Sequence, residues 1–252
     1  MIDTHCHLND LKYKNVGEIV NNFLSSGVEC VVCVGCDPAS NSRAKEIAKE
    51  YQCVYYAIGI HPDDCNKFNA QELENYLNAG DDKLVAVGEI GLDYFHNTEN
   101  KAEQKQVFEA QIELAKKFHL PFIIHCRDAY GDTLEILKAH APYPDGAVMH
   151  CYSGSWDFAK EILKLNIKIS FTGSVTFKNA KNVQNVAQNL PKGSFFFETD
   201  SPYLSPEPVR GTTNEPKNVF YVAKFVADLR QEDAKTLIAE TDKVAKEFFN
   251  LR

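Results

Sequence analysis

The sequence predicts an α/β protein, a single-domain (β/α)8 TIM barrel spanning residues 1–252. Eight short apolar, β-rich runs alternate with longer amphipathic stretches, which is the pattern of βαβ units and a parallel sheet. The repeat is about 31 residues, as eight strand–helix units in 252 residues require. No low-complexity tract, charge run or linker divides the chain, and no repeat exists beyond this rhythm. A doubly wound open sheet is the alternative architecture for the same rhythm.

In chain order the strand runs are MIDTH, ECVVCVG, CVYYAIGI, LVAVGEIG, PFIIHC, GAVMHC, IKISFTG and SFFFETD. Helices are expected at roughly 15–26, 39–50, 99–118, 129–140, 155–165, 178–189, 216–228 and 231–250. The clearest is KAEQKQVFEAQIELAKKF, where Val107, Ile112 and Leu114 stand among charges at near-helical spacing. No helix is assigned between the third and fourth strands. The longest irregular stretch is 200–216, DSPYLSPEPVRGTTNEP, with four of the ten prolines. A long loop just after a barrel strand is usually functional.

Lys and Arg number 27 against 35 Asp and Glu, a net charge of −8. That argues against a protein coating nucleic acid through a broad basic face. It leaves room for an enzyme that grips phosphate locally through metal ions. Apolar residues at 44% and charged residues at 25% fit a soluble globular protein with a large core. No window approaches 18 apolar residues, so no membrane span is expected. The opening MIDTHCHL lacks a basic leader region, so a cytoplasmic location is expected. If His5 and His7 matter, no removable leader can precede them.

Cys30, Cys33 and Cys36 form a C-x2-C-x2-C run of the kind that holds zinc or iron–sulfur groups. They sit in a strand-like stretch, however, where Cys30 and Cys33 point to opposite faces. Buried reduced thiols are the expected outcome. Cys6, Cys126 and Cys151 each neighbour a histidine and should face away from whatever those histidines bind.

Six ligand-type residues fall near the ends of strand runs: His5 and His7, Glu89, His125, His150 and Asp200. In parallel α/β proteins, active sites form at the carboxyl ends of strands. In His5-x-His7 the two imidazoles share a face of an extended strand and can converge on one ion. Any one of these histidines could be an ordinary core residue bonded to the backbone. Four of them with two carboxylates, all at strand ends, form a set that coincidence explains poorly. The set exceeds the three protein ligands of a typical catalytic zinc. It suits two divalent ions with a shared carboxylate, able to activate water and stabilise phosphoryl displacement. Mixed imidazole and carboxylate ligation suits Zn, Mn or Fe, whereas Mg prefers oxygen, and the ion's identity stays open.

The motifs DTHCHL at the start, GIHPD at 59–63, GEIGLDY at 88–94, HCRDA at 125–129, HCYSG at 150–154 and ETDSPYL at 198–204 together resemble the TatD-type metal-dependent DNase family. They stand in family order and span nearly the whole chain. The resemblance implies a barrel of the amidohydrolase-like superfamily with two divalent metal ions. One ion would be held by His5, His7 and Asp200, the other by His125 and His150, with Glu89 bridging. It implies hydrolysis of DNA phosphodiesters, often as a 3′→5′ exonuclease on single strands or strand ends, supported by magnesium or other divalent ions. Some relatives are linked to removing D-amino acids from tRNA, so a D-aminoacyl-tRNA deacylase is the alternative. One departure lies at Thr212 and Thr213, where the family more often carries a basic residue.

Asp200 is expected to bind metal and to orient or deprotonate the attacking water, although alone it reads equally as a turn aspartate before Ser201-Pro202. Arg127 shares strand parity with His125 and could fork onto a phosphate oxygen; a structural ion pair is the plainer role. His61, in GIHPDD, is expected to contact the leaving group or a phosphate. Asp93 is expected to orient a ligating histidine, and Glu198 to lie behind the ligands. Arg210 and Asn214, on the final loop, are candidate substrate contacts. Phe95, Trp156 and Tyr203 follow strand ends and could stack on a base, though such aromatics are more often packing residues. His96, His119 and His140 are expected to be exposed. The rival of another class is a barrel that keeps its ligands but serves only as a binding protein. No partner-binding motif is present, and nothing in the sequence sets the oligomeric state.

Overall fold

The computed structural model describes residues 1–252. The strands are β1 (Ile2–Cys6), β2 (Cys30–Val34), β3 (Val54–Ile58), β4 (Leu84–Asp93), β5 (Phe122–Arg127), β6 (Ala147–Met149), β7 (Ile167–Phe171) and β8 (Phe195–Phe197). The helices are α1 (Val16–Ser25), α2 (Pro38–Glu50), α3 (Ala70–Leu77), α4 (Lys101–Lys117), α5 (Tyr130–His140), α6 (Trp156–Leu163), α7 (Lys181–Asn189), α8 (Val219–Arg230) and α9 (Ala234–Phe248). Every strand pairs parallel with its neighbour in chain order. Beyond β8 the chain turns back onto β1, with Asp200 N donating to His5 O at 2.9 Å and His7 N donating to Ser201 O at 2.7 Å. Order without a switch point, closed on itself, is a barrel and not the doubly wound sheet.

The helix absent from the sequence reading is α3. Asn69 caps it by accepting from Gln71 N and Glu72 N, and Leu73 and Leu77 are its buried pair. Two buried residues on an eight-residue helix are too short a stripe for periodicity to register. No helix is long and apolar enough to cross a membrane.

Side-chain alternation divides the core into two layers. Ile2, Val32, Val34, Tyr55, Ala57, Val85, Ile123, Val148 and Phe196 fill the barrel, closed from below by Ala245, Phe249 and Leu251 in and after α9. Between barrel and helices lie Val31, Cys33, Ile58, Ile124 and Met149 against Phe23, Ile47, Phe108, Leu137 and Val222. Cys30 belongs to the inner layer and Cys33 to the outer, as strand alternation requires, and all eight cysteines are free.

The same alternation builds the barrel's upper rim. Inward Val34 is followed by Cys36, Ala57 by Gly59 and His61, Ile123 by His125 and Arg127, Val148 by His150, and Phe196 by Glu198 and Asp200. β1 breaks the rule, since Ile2 lies inside but Cys6 lies outside; its register slips between Asp3 and Cys6. That slip turns the odd-numbered His5 and His7 toward the axis. β4 slips between Val87 and Ile90, around Glu89. Just beyond, Gly91 has φ +147°, and a Cβ there would lie 1.9 Å from the His125 carbonyl oxygen. Only glycine lets β4 pass β5 this closely.

Candidate metal centre

His5, His7, Glu89, His125, His150 and Asp200, drawn from five strand ends, meet at the carboxyl end of the barrel. Glu89 stands between the others, one oxygen facing each group. Its Oε2 lies 3.5 Å from His5 Nε2 and 3.9 Å from His7 Nε2. Asp200 Oδ1 completes that side at 3.2 Å from His7 Nε2 and 3.7 Å from His5 Nε2. Glu89 Oε1 lies 2.7 Å from His125 Nδ1 and 2.6 Å from His150 Nε2. His5 and His150 stack, ring centres 4.1 Å apart, so the two groups are contiguous. Groups His5–His7–Asp200 and Glu89–His125–His150 are each compact enough to hold a cation.

The donors suit cations in more than number. His7 Nδ1 lies 3.0 Å from the Val34 carbonyl, to which it can only donate; Nε2 is then the nitrogen left to face Asp200. His125 Nε2 is 3.0 Å from Asp93 Oδ2, leaving Nδ1 for Glu89. Lone pairs of nitrogen and oxygen at such distances repel unless protons or metal ions lie between them. Burial would push the Glu89 carboxyl up, but His150, His125 and His5 hold it well below the usual carboxylate range. Burial disfavours a charge on His150, yet Glu89 and Glu198 carry it well above the ordinary imidazole value. His5 is shifted down by burial and by the neighbouring His150. Glu89 and His150 thus favour opposite charges, a pairing that a divalent ion would replace by displacing the imidazole proton.

Behind this centre stands Asp93, against His125 Nε2. Its Oδ2 also meets His96 Nδ1 at 2.9 Å, and its Oδ1 accepts from the backbone of Phe95 and His96. We predict that Asp93→Asn lowers metal affinity by about 10–100-fold, because the amide cannot enforce the His125 tautomer; metal-competition titration measures it. Glu198 accepts from Cys151 N and Ser170 Oγ, both at 2.6 Å, and lies 3.6 Å from His150 Nδ1. His61 Nδ1 accepts from Asp63 N at 3.2 Å, so its proton sits on Nε2, 3.7 Å from Glu89 Oε1. Burial and His125 lower its pKa to about 3, keeping the ring neutral. Arg127 is exposed and stacks on Phe95 at 4.0 Å. No carboxylate lies within ion-pair distance of it, so the structural ion pair weighed above is absent.

Asn214 corrects the sequence reading. It is fully buried, its Nδ2 donating to Thr199 O and Tyr203 O while Oδ1 accepts from Glu215 N and Asn218 Nδ2. With every valence spent inside the protein, it fastens the final loop and has nothing to offer a substrate. Asn214→Ala should cost about 2–4 kcal/mol of stability, read by denaturant titration, because its buried partners lose their bonds. Arg210 lies over the Phe177 ring at 4.1 Å and pairs with Glu207 at 3.7 Å. Trp156 packs partly against the outer core on the flank of α6.

Three residues near the site were missed. Cys36 Sγ lies 3.7 Å from Glu89 Oε2, a position that alternation from Val32 and Val34 could have revealed. Asp3, buried behind His5, accepts from Thr199 N and Oγ1 and ties β1 to the segment carrying Asp200. His96, half-exposed, is the second partner of Asp93. Cys6, Cys126 and Cys151 do turn away, toward Val32 O, Thr133 and Thr172.

The chain is similar to known proteins over its whole length. The family model described as TatD related DNase matches residues 2–250. Over 254 aligned residues the chain is 41% identical to YabD of Bacillus subtilis, named an uncharacterized metal-dependent hydrolase, covering 100% of this chain and 99% of that one. It is 28% identical to a protein of Citrobacter koseri named 3'-5' ssDNA/RNA exonuclease TatD, covering 100% of this chain and 99% of that one. The crystal structure of YjjV, a TatD homologue from Escherichia coli, superposes with a TM-score of 0.94 at 30% identity, covering 100% of this chain and 98% of that one. With a closed barrel, a cluster of metal-type donors at its rim and relatives matched end to end, the chain belongs to the TatD-related DNase family of metal-dependent hydrolases.

Proposed function

We propose that this protein hydrolyses phosphodiester bonds of single-stranded DNA or strand ends, with two divalent cations. The observation that carries the reading is Glu89, whose two oxygens face two separate donor groups. His5, His7 and Asp200 would hold one ion and His125 and His150 the other, Glu89 touching both. Such ions, whether Zn, Mn, Mg or Fe, would make water acidic enough to attack and offset charge gathering on the phosphoryl oxygens. The relative named as a 3'-5' ssDNA/RNA exonuclease supports this substrate class.

The chain's own groups fill the remaining roles. Asp200 takes the proton of the attacking water as its oxygen bonds to phosphorus. His61, neutral, is a poor acid but a fixed hydrogen-bond donor; its Nε2–H holds a phosphoryl oxygen in place. Arg127, free of carboxylates, forks onto a second oxygen. The P–O bond to the departing sugar oxygen breaks, and that oxygen takes a proton from solvent. With a net charge of −8, affinity for polyanion must come from this local centre.

The test is a metal series added to chelator-stripped protein with single-stranded DNA labelled at either end. Stepwise release of mononucleotides from the 3′ end, abolished by chelator, is expected. Turnover confined to D-aminoacyl-tRNA, with all DNA intact, would replace the reading by the deacylase one.

A further inference from the structure

We propose that two aromatic platforms on opposite sides of the rim stack the bases of an unpaired polynucleotide strand, one on each side of the reacting phosphate. The inference rests on the phosphodiesterase reading above and specifies how its substrate is held. Five large apolar side chains are exposed: Leu11, Leu24, Phe95, Tyr203 and Phe220. Three of them, Leu11, Phe95 and Tyr203, lie on loops following β1, β4 and β8, at the end of the barrel that carries the donor cluster. Phe95 is 57% exposed and Tyr203 42%, so both rings are within reach of a ligand at the rim.

Their placement matches a strand laid across the centre. Tyr203 follows β8, and its ring is 6.3 Å from that of His7, on the side of His5 and Asp200. Phe95 follows β4, and its ring is 5.0 Å from that of His96, whose partner Asp93 holds His125. In an eight-stranded barrel of this order, the β8–β1 seam lies diametrically opposite the β4–β5 seam. The platforms therefore flank the donor cluster. Each also carries a cation, Arg127 at 4.0 Å from the Phe95 ring centre and Lys12 at 3.9 Å from that of Tyr203. The cation covers one face of each ring and offers a phosphate contact, so a base would stack on the opposite face. Paired bases present no free faces to such rings, so the fitting ligand is a single strand or a frayed end.

Binding to the metal-loaded protein is measured by fluorescence anisotropy with a hydrolysis-resistant phosphorothioate oligothymidylate and with an abasic oligomer of equal length. The wild type should prefer the base-bearing strand by about tenfold or more. Phe95→Leu and Tyr203→Leu, which keep apolar bulk, should each erase much of that preference and leave abasic binding unchanged; Phe95→Trp should retain it. Equal wild-type affinity for the two oligomers, or variants that weaken both alike, would overturn the proposal. Hydrolysis of bis-p-nitrophenyl phosphate is followed in parallel. Base preference without diester turnover sinks the phosphodiesterase reading alone, and turnover without base preference sinks the stacking platforms alone.

Discussion

Glu89→Gln is expected to lower phosphodiester hydrolysis by on the order of 10³-fold or more and to reduce the metal bound per chain. The substitution preserves shape but leaves one carbonyl oxygen and one NH2 where two anionic oxygens stood. Whichever way the amide turns, either the His5–His7 side or the His125–His150 side faces a donor that cannot ligate. A pH signature accompanies the loss. Glu89 is the leading cause that raises His150 above the ordinary imidazole value against burial, so cations entering the site must displace protons. Metal affinity in the native protein should therefore fall as pH decreases, beginning above the normal imidazole range. Without the Glu89 anion, His150 keeps only Glu198 to raise it, and metal loading should release fewer protons. Calorimetry in two buffers of different ionisation enthalpy counts those protons, and elemental analysis counts the metal. Full metal content and native turnover in Glu89→Gln would remove the shared carboxylate from the mechanism.

The legible parts of this protein were those written in local pattern. All eight strand runs were recognisable because strands covered on both faces are continuously apolar. Alternation then carried His125, Arg127, His150, Glu198 and Asp200 to one side of their strands without any knowledge of the closed barrel. The residues misread were those whose role depends on chain crossing. Asn214 stood on the final loop as a candidate substrate contact, but its amide is buried and bonded to Thr199 O, Tyr203 O and Asn218 Nδ2. Asp3 passed unnoticed because its partner Thr199 lies at the opposite end of the sequence. The exposure expected of His96 holds, but nothing local announces that Asp93 serves two imidazoles. Cys36 differs, because two more steps of alternation from Val32 place it at the rim. Suspicion of a cysteine–metal run directed attention to Cys30 and Cys33 instead.

Asp200→Asn should separate chemistry from folding more cleanly than any other change. Asp200 has a backbone φ of +55°, a left-handed conformation that Asn tolerates about as well as Asp. Its backbone N–H bond to His5 O, which helps close the barrel, does not involve the side chain. The melting transition should therefore stay near that of the native protein. Catalysis should not survive, because Asn has neither the negative charge nor the proton-accepting oxygen placed 3.2 Å from His7 Nε2. Burial alone would raise the Asp200 carboxyl, yet His7 keeps it below the usual carboxylate range, so at neutral pH the native group is the anion the reaction uses. A fall in kcat on the order of 10³-fold at saturating metal and substrate is expected, with little change in KM. Asp200→Ala is the informative contrast. It removes the same carboxylate but forces a less tolerant residue into the left-handed region, costing about 1–2 kcal/mol of stability besides. Equal losses of kcat in both variants, with a lower melting temperature only in Ala, would locate the catalytic contribution in the carboxylate. Native kcat in Asp200→Asn would show that the water's proton leaves by another route.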